Sequence, residues 1–167
     1  MSNTRKNAIP KIKIEGKALN KSLEGGSILV PVDGSQTSSL ALSYASNLAK
    51  RYSAEVRIVY VTPSPVFIFF QDTFEELTIV DIEERLERSG QDLLDRFSGE
   101  AEAHGIKATT TLLRGHPGRQ IVQYAKAQGF DLIVMASSGL SAVSRFLLGS
   151  VSSYVVNHAE CPVIIVK

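Results

Sequence analysis

Short apolar runs and longer stretches with helical spacing alternate along the chain. Five runs are bounded by polar or turn residues, which is typical of strands buried in a sheet; they comprise residues 27–32, 55–61, 107–113, 131–135 and 163–166. Between the runs, apolar residues recur every three or four positions, as they do on one face of a helix. This alternation predicts an α/β fold with one open parallel sheet, right-handed crossovers and helices on both faces.

The apolar spacing predicts four helices, of which three precede the fourth strand. The first helix takes Ser35 or Thr37 as its N-cap and is expected to bury a face formed by Ala41, Tyr44, Ala45, Leu48 and Tyr52. The second extends from Ile82 to about Gly105, and the third has Pro117 in its first turn and ends at Gly129. The third strand is rich in threonine, so we expect it near an edge of the sheet.

The fourth predicted helix carries the strongest signal for a ligand. It is expected to connect the last two strands, and its apolar spacing joins Leu147, Leu148, Val151 and Val155. Gly149 and Ser150 stand where its buried part begins. Glycine lets a ligand approach the backbone, and the N–H groups of a helix's first turn carry partial positive charge. With Gly139 after the fourth strand, these residues predict an anion-binding cradle.

Asp33 follows the first strand, whose hydrogen-bond ladder is expected to end at Pro31. Aspartate commonly forms turns and caps helices, and that is one interpretation of Asp33. The other is ligand contact, because open parallel sheets bind ligands at the carboxyl ends of strands, where the strand order reverses. If the first and fourth strands are neighbours, Asp33 and the turn at Gly139 flank that crevice.

The segment Val66–Phe70 contains three phenylalanines after a proline-rich turn. It is too apolar to lie freely in water as a loop. Packing on the domain's own core, closure over a ligand and contact with a partner chain are the three interpretations, and we favour the first.

Composition and charge indicate one globular domain and an appended arm. The 167 residues are 44% hydrophobic and 21% charged, which is ordinary for a folded domain. Residues 1–26 hold six of the 18 basic residues and two of the 17 acidic ones, so the rest of the chain carries about −3. We therefore predict a basic N-terminal arm over 1–26, flexible or forming a short added strand, and a folded domain over 27–167. A domain of that charge is a poor non-specific binder of nucleic acid.

Cys161 is the single cysteine, so an internal disulfide is excluded and a reducing compartment is favoured. The sequence contains no apolar run of the roughly 18 residues that a membrane span needs, and no secretory signal pattern. A cytoplasmic protein without a membrane partner is expected.

The last third of the chain resembles the universal stress protein family. Its ATP-binding members carry a glycine, two residues, a second glycine, nine residues, and then glycine followed by serine or threonine. Gly139, Gly149 and Ser150 stand in register with this motif, whereas Ala136 occupies the first glycine position. The resemblance covers Ser27–Lys167. It implies the adenine nucleotide α-hydrolase-like fold, with five parallel strands in the order 3-2-1-4-5.

By that resemblance, an adenine nucleotide, ATP or AMP, lies across the carboxyl ends of the first and fourth strands. The residues implied for the base and ribose end are Pro31, Val32, Asp33 and Val61, followed by Met135, Ala136 and Gly139, and those implied for the phosphates are Gly149, Ser150 and Val151. The added methyl group of Ala136 is expected to weaken binding or shift the nucleotide. Mg²⁺ or Mn²⁺ would be held through the phosphates and water alone.

Three functions follow from this resemblance. The first is a nucleotide-binding stress or signalling module without efficient catalysis, since the motif contains no base that activates water. The second is a dimeric interaction scaffold that binds no nucleotide, which the alanine at position 136 favours. The third, an adenylyl-transferring enzyme of the wider α-hydrolase superfamily, is the weakest, because the expected phosphate-binding loop is missing after the first strand.

Other nucleotide and catalytic motifs are absent from the sequence. There is no Gly-Lys-Ser/Thr after a strand, no dinucleotide-type glycine motif in the first turn, and no Gly-x-Ser-x-Gly. His116 begins the third helix without a cysteine or acidic partner at metal-ligand spacing, and Ser137 and Ser138 have no assigned base. No catalytic or metal-ligating residue is predicted.

The last strand, Val163–Val166, is expected to lie at a sheet edge and to be apolar up to Lys167. An exposed apolar edge is a template for pairing with another chain. We therefore predict a homodimer in which this strand pairs with its copy across a two-fold axis.

Overall fold

The computed structural model describes residues 23–64, 79–137 and 148–167. Within them, five strands form one parallel sheet in the order β3-β2-β1-β4-β5. The strands are β1 (Ser27–Pro31), β2 (Glu55–Thr62), β3 (Ala108–Arg114), β4 (Leu132–Ala136) and β5 (Val163–Val166). This architecture confirms the predicted fold class and strand order, and it confirms that the threonine-rich third strand lies at an edge.

The described residues also contain four helices, two on each face of the sheet. They are α1 (Gln36–Tyr52), α2 (Ile79–Ala103), α3 (Pro117–Gln128) and α4 (Ser150–His158). Alternate residues of each strand supply two buried clusters, since successive side chains point to opposite faces. One cluster packs Ile28, Val30 and Ile58 under α1 and α2, and the other packs Leu29, Val59 and Ile133 under α3 and α4.

The pairing of β1 is unequal on its two sides. Against β2, the register runs over the whole of β1, from Ser27↔Glu55 to Pro31↔Val59. Against β4, it consists of Ile28↔Leu132 and Leu29↔Ile133. The N–H of Val32 still donates to the carbonyl of Val59, at 2.9 Å. The carboxyl end of β1 therefore stays with β2 and separates from β4, which opens a crevice between the two central strands.

Helix α1 begins as predicted and buries the predicted face except for one residue. Ser35 is its N-cap and accepts a hydrogen bond from the N–H of Ser38. Tyr44, predicted to be buried, is 43% exposed, so that prediction was wrong. Ala41 and Ala45 are buried as predicted, and Leu48 and Tyr52 pack partly buried against the cluster under α1 and α2. The buried face also includes Ser38, Leu42 and Ser46. Both of these serine hydroxyls donate to backbone carbonyls of the same helical segment, so they are buried without losing their hydrogen bonds.

The start of α4 also differs from the prediction. Leu148 was expected in the helix, but it precedes the helix and is 41% exposed. Gly149 is the N-cap, with extended backbone (φ −63°, ψ 161°), and its N–H donates to the carbonyl of Ser137. The helix cannot continue backward through a residue with that ψ. Leu147 lies outside the described residues.

The described residues include only part of the predicted arm and of the predicted loops. Leu23, within the predicted arm, is 1% exposed and packs in the cluster under α1 and α2, while the boundary at residue 26 stays a prediction. Residues 1–22, the segment Val66–Phe70, Ser138 and Gly139 lie outside the described residues.

None of the helices in the described ranges is both long enough and apolar enough to span a membrane. Cys161 is partly buried, and this burial raises the pKa of its thiol.

Helix α2 provides a test of how closely it packs on the sheet. Gly90 is buried, and a β-carbon there would lie 2.6 Å from Cδ1 of Leu112 and 3.2 Å from Cγ2 of Thr62. Gly99 of the same helix is exposed and has no atom within 4 Å of the corresponding position. We expect Gly90→Val to lower the free energy of unfolding by about 1–3 kcal/mol through overpacking, with Gly99→Val within about 0.5 kcal/mol of the parent. Chemical denaturation of the parent and of both variants measures these free energies of unfolding. Equal effects would contradict the close packing of α2.

Candidate functional site

A cavity of about 290 Å³ opens over the carboxyl ends of β1, β2 and β4. It occupies the crevice that forms where β1 separates from β4. The described residues that line it are Pro31, Val32, Asp33, Ser38, Val59, Tyr60, Val61, Pro117, Ile121, Met135, Ala136, Gly149, Ser150, Val151 and Ser152. Every residue of the predicted site that the structure describes is among them, and Gly139 lies outside the described residues.

One end of the cavity is apolar. Val61 and Met135 are 7% and 5% exposed and belong to the cluster under α3 and α4. Pro117 and Ile121 of α3 line the same end, and the sequence did not indicate them as site residues. A usable signal existed, because a helix that follows a parallel strand starts at the carboxyl edge where ligands bind. These side chains form an apolar slot of a kind that suits a flat aromatic group.

The position of α3 depends on its contact with α4. Gly118 is buried against Tyr154, and a β-carbon at Gly118 would lie 2.9 Å from Cδ1 of that ring. Only glycine allows this approach without displacing a helix. The close crossing brings Pro117 and Ile121 toward Val151, so both helices line one cavity.

The other end of the cavity is the N-terminus of α4. Gly149 supplies no side-chain cap, and the first N–H groups of a helix have no acceptor within the helix. The first two residues of the helix, Ser150 and Val151, line the cavity. Their amides and the helix dipole favour an anion at this position. The hydroxyl of Ser150 adds a donor on an exposed residue.

Asp33 performs the turn chemistry that its sequence context suggested. Its Oδ1 accepts hydrogen bonds from the N–H of Ser35 at 3.0 Å and from the hydroxyl of Ser35 at 2.6 Å. Gly34 between them has φ +86°, a conformation that residues with a β-carbon rarely adopt. The carboxylate is thereby fixed at the rim of the cavity, which it also lines. The turn role and a ligand role are therefore compatible.

Ala136 narrows the cavity from the side of α1. It is 9% exposed and pairs in register with Val166, which belongs to the cluster under α1 and α2. Side chains in register on neighbouring parallel strands point to the same face, so the methyl group of Ala136 points toward α1. Ser38 of α1 lines the cavity as well. Met135 approaches from the opposite face.

No catalytic arrangement is evident among the described residues. His116 is exposed, and its ring centroid lies 6.0 Å from that of Tyr154, in a tilted contact. Within the described ranges, no three His, Cys, Asp or Glu side chains cluster closely enough to hold a metal ion. The N–H of Ser137 donates to the carbonyl of Val166, so this residue continues the β4–β5 pairing. Ser138 lies outside the described residues.

Comparisons with known proteins agree with this architecture. The model of the universal stress protein family matches residues 26–167. A universal stress protein of Methanocaldococcus jannaschii is 39% identical over 140 residues, which cover 84% of this chain and 81% of that protein. The structure of universal stress protein UspA from Lactobacillus plantarum matches with a TM-score of 0.71 at 27% identity, over 86% of this chain and 99% of that one.

A third similar structure is that of the universal stress protein from Archaeoglobus fulgidus in complex with dAMP. Its TM-score is 0.62 at 24% identity, over 85% of this chain and 98% of that one, which demonstrates a shared fold. The family match spans most of the sequence and includes all the described strands and helices. The chain belongs to the universal stress protein family.

Proposed function

We propose that this protein is an adenine-nucleotide-binding module, for ATP or AMP, that serves stress response or signalling without efficient catalysis. The observation that carries the proposal is a single cavity that joins an apolar slot to an uncapped helix N-terminus. An adenine nucleotide has the matching parts in the same order, since a flat apolar base is linked through ribose to an anionic tail. The length and charge of that tail distinguish the two ligands.

The base is assigned to the slot formed by Val61, Met135 and Ile121. These side chains are nearly buried in the protein, so a base that enters the slot gains contact with apolar surface. The carboxyl end of β2 lies beside it, and the family resemblance places Val61 next to the adenine. Pro31 and Val32, at the end of β1, close the slot toward the ribose.

The phosphates are assigned to the first turn of α4. The amides of Ser150 and Val151 supply donors, and Gly149 permits close approach of a phosphate oxygen to the backbone. Asp33 at the rim carries the wrong charge for a phosphate, so a hydrogen bond from a ribose hydroxyl is its assigned role. Mg²⁺ or Mn²⁺ would be held by phosphate oxygens and water.

Two solved structures of the same fold have related ligands. The Archaeoglobus fulgidus protein was solved in complex with dAMP, and another universal stress protein was solved in complex with cAMP. At 24% identity these likenesses concern the fold alone. They support the proposal by demonstrating that this architecture accommodates adenine nucleotides.

The site contains little that could accelerate hydrolysis. Asp33 is the one carboxylate among the described lining residues, and its Oδ1 already accepts two hydrogen bonds from Ser35. A base that activates water must reach that water, and no histidine lines the cavity in the described ranges. At most slow ATP hydrolysis is therefore proposed.

A dimeric scaffold that binds no nucleotide is the second candidate, and the methyl group of Ala136 is the observation that favours it. Dimerisation itself is proposed for both candidates. The carbonyls of Pro162, just before β5, and of Val166 accept hydrogen bonds from the N–H groups of Ile133 and Ser137. By the alternation of a parallel ladder, the backbone groups of Val163 and Ile165 face away from β4, along the open edge. A second copy could pair with them across a two-fold axis.

Isothermal titration with ATP, ADP and AMP tests the proposed ligand. We expect binding by the parent protein, and we expect Gly149→Val to lower the affinity at least about tenfold, because the added side chain covers the first-turn amides. The backbone of Gly149 (φ −63°) accommodates valine, so the fold should persist. Gly99→Val is the matched control and should leave the affinity unchanged. A parent protein that gives no heat with any adenylate would sink the proposal and favour the scaffold.

Ala136→Gly tests the effect of the departure from the family motif. Removal of the methyl group widens the cavity on the α1 side, so we expect the affinity for ATP or AMP to rise about threefold to tenfold. Glycine in a strand is less favourable, so the melting temperature should fall by a few degrees. Titration and thermal unfolding measure the two effects. Unchanged affinity would mean that the methyl group does not limit binding.

Sedimentation at micromolar concentration tests the dimer. Ile165→Pro removes one outward N–H of β5 and leaves the bonds to β4 in place, because proline is tolerated on an edge strand. We expect the parent protein to sediment as a dimer and Ile165→Pro to sediment as a monomer. A monomeric parent would contradict dimerisation, and a dimeric variant would place the interface elsewhere.

A further inference from the structure

The end of β4 and the start of α4 are joined by hydrogen bonds that converge on one carbonyl group. The carbonyl oxygen of Ser137 accepts from the N–H of Gly149 at 2.7 Å and from the hydroxyl of Ser152 at 2.6 Å. The N–H of Ser137 donates to Val166 at 2.8 Å. Ser137 is therefore fixed to β5 on one side and to α4 on the other.

Ser152 is the part of this arrangement that the glycine motif does not contain. It is 2% exposed, and its hydroxyl also lies 3.0 Å from the carbonyl of Gly149, which already accepts from the N–H of Ser153. The hydroxyl has one proton to donate, and the shorter contact is the one to Ser137. A side chain in the first turn of α4 thus holds the helix start against the end of β4.

We infer that Ser152 is a positioning residue for the phosphate group of the nucleotide. This inference depends on the proposed function. Ser150 and Val151 are the first two residues of α4. Their amides can reach a phosphate only if the first turn of the helix stays at the edge of the cavity. The bond from Ser152 to Ser137 sets the distance between that turn and the strand end. Two of the three residues that form the base slot do not depend on this bond, because Val61 belongs to β2 and Met135 to β4.

Titration with two ligands distinguishes a role of Ser152 in positioning the phosphate site from a role in the general stability of the fold. AMP contains the phosphate and adenosine does not, so the loss of a phosphate-positioning residue should affect AMP alone. We expect Ser152→Ala to weaken AMP binding about fivefold or more and adenosine binding less than about twofold. Ser152→Cys keeps a weaker donor and should fall between the parent and the alanine variant. If Ser152→Ala does not fold, Ser152→Cys is used in its place. The test is then whether Ser152→Cys loses more affinity for AMP than for adenosine.

Ser46→Ala is the matched control for these titrations. Ser46 is also a buried helical serine, 1% exposed, and its hydroxyl donates to the carbonyl of Leu42 within α1. Its removal costs a comparable hydrogen bond far from α4, so neither ligand should lose affinity by more than about twofold. An equal loss of AMP and adenosine binding in Ser152→Ala, or no loss of either, would overturn the inference.

Amide hydrogen exchange of the ligand-free protein separates this inference from the proposed function. If Ser152 holds the helix start, Ser152→Ala should speed exchange at the N–H groups of Gly149 and Ser153 about tenfold, and Ser46→Ala should not. A parent protein that binds neither adenosine nor any of AMP, ADP and ATP would refute the proposed function and the phosphate role together. The exchange rates would still decide whether Ser152 holds α4, and unchanged rates would refute that role in any case.

Discussion

The unequal pairing of β1 is the constraint on which the site depends. β1 follows β2 along its whole length but is in register with β4 only at Ile28 and Leu29. Parallel strands twist relative to one another, so two strands that lose their shared hydrogen bonds diverge toward their ends. The reversal of strand order at this point sends α1 to one face of the sheet and α4 to the other, so nothing in the described chain fills the gap between β1 and β4. The cavity is therefore a consequence of strand order before any particular side chain is considered.

Much of the fold could be predicted because its signals are local. Short apolar runs bounded by turn residues indicated the five strands, and the strand order followed from the family resemblance. The errors have a common cause, which is that apolarity was taken as a measure of burial. Tyr44 is exposed because it lies off the face of α1 that meets the sheet. Ser38 and Ser46 lie on that face and can be buried because each hydroxyl bonds its own helix backbone. Leu148 is apolar too, but the extended backbone of Gly149 determines where α4 begins.

The site was predictable to the extent that it depends on motif spacing and strand ends. Asp33, Gly149 and Ser150 were indicated by position, and in the structure they line the cavity, while their contact with a nucleotide stays a prediction. Pro117 and Ile121 were missed although α3 starts at the carboxyl edge of the sheet, because how closely α3 approaches the cavity also depends on its crossing with α4, where Gly118 meets Tyr154. That contact joins two helices far apart in sequence. The hydroxyl of Ser152 was missed for a similar reason, since its partner is a backbone carbonyl on another element and no residue pattern encodes it.

The described lining of the cavity contains no lysine or arginine, and this affects how the site would achieve selectivity. A cationic side chain attracts an anion over several ångströms and tolerates small displacements, whereas a backbone amide must meet a phosphate oxygen at hydrogen-bond distance. A site that relies on amides thus depends on the placement of its helix more than on its net charge. The methyl group of Ala136 acts on the width of the crevice, and Ser152 acts on the position of the helix that borders it. The two effects are separable, because one changes the space available to the whole ligand and the other changes only the donors that meet its anionic end.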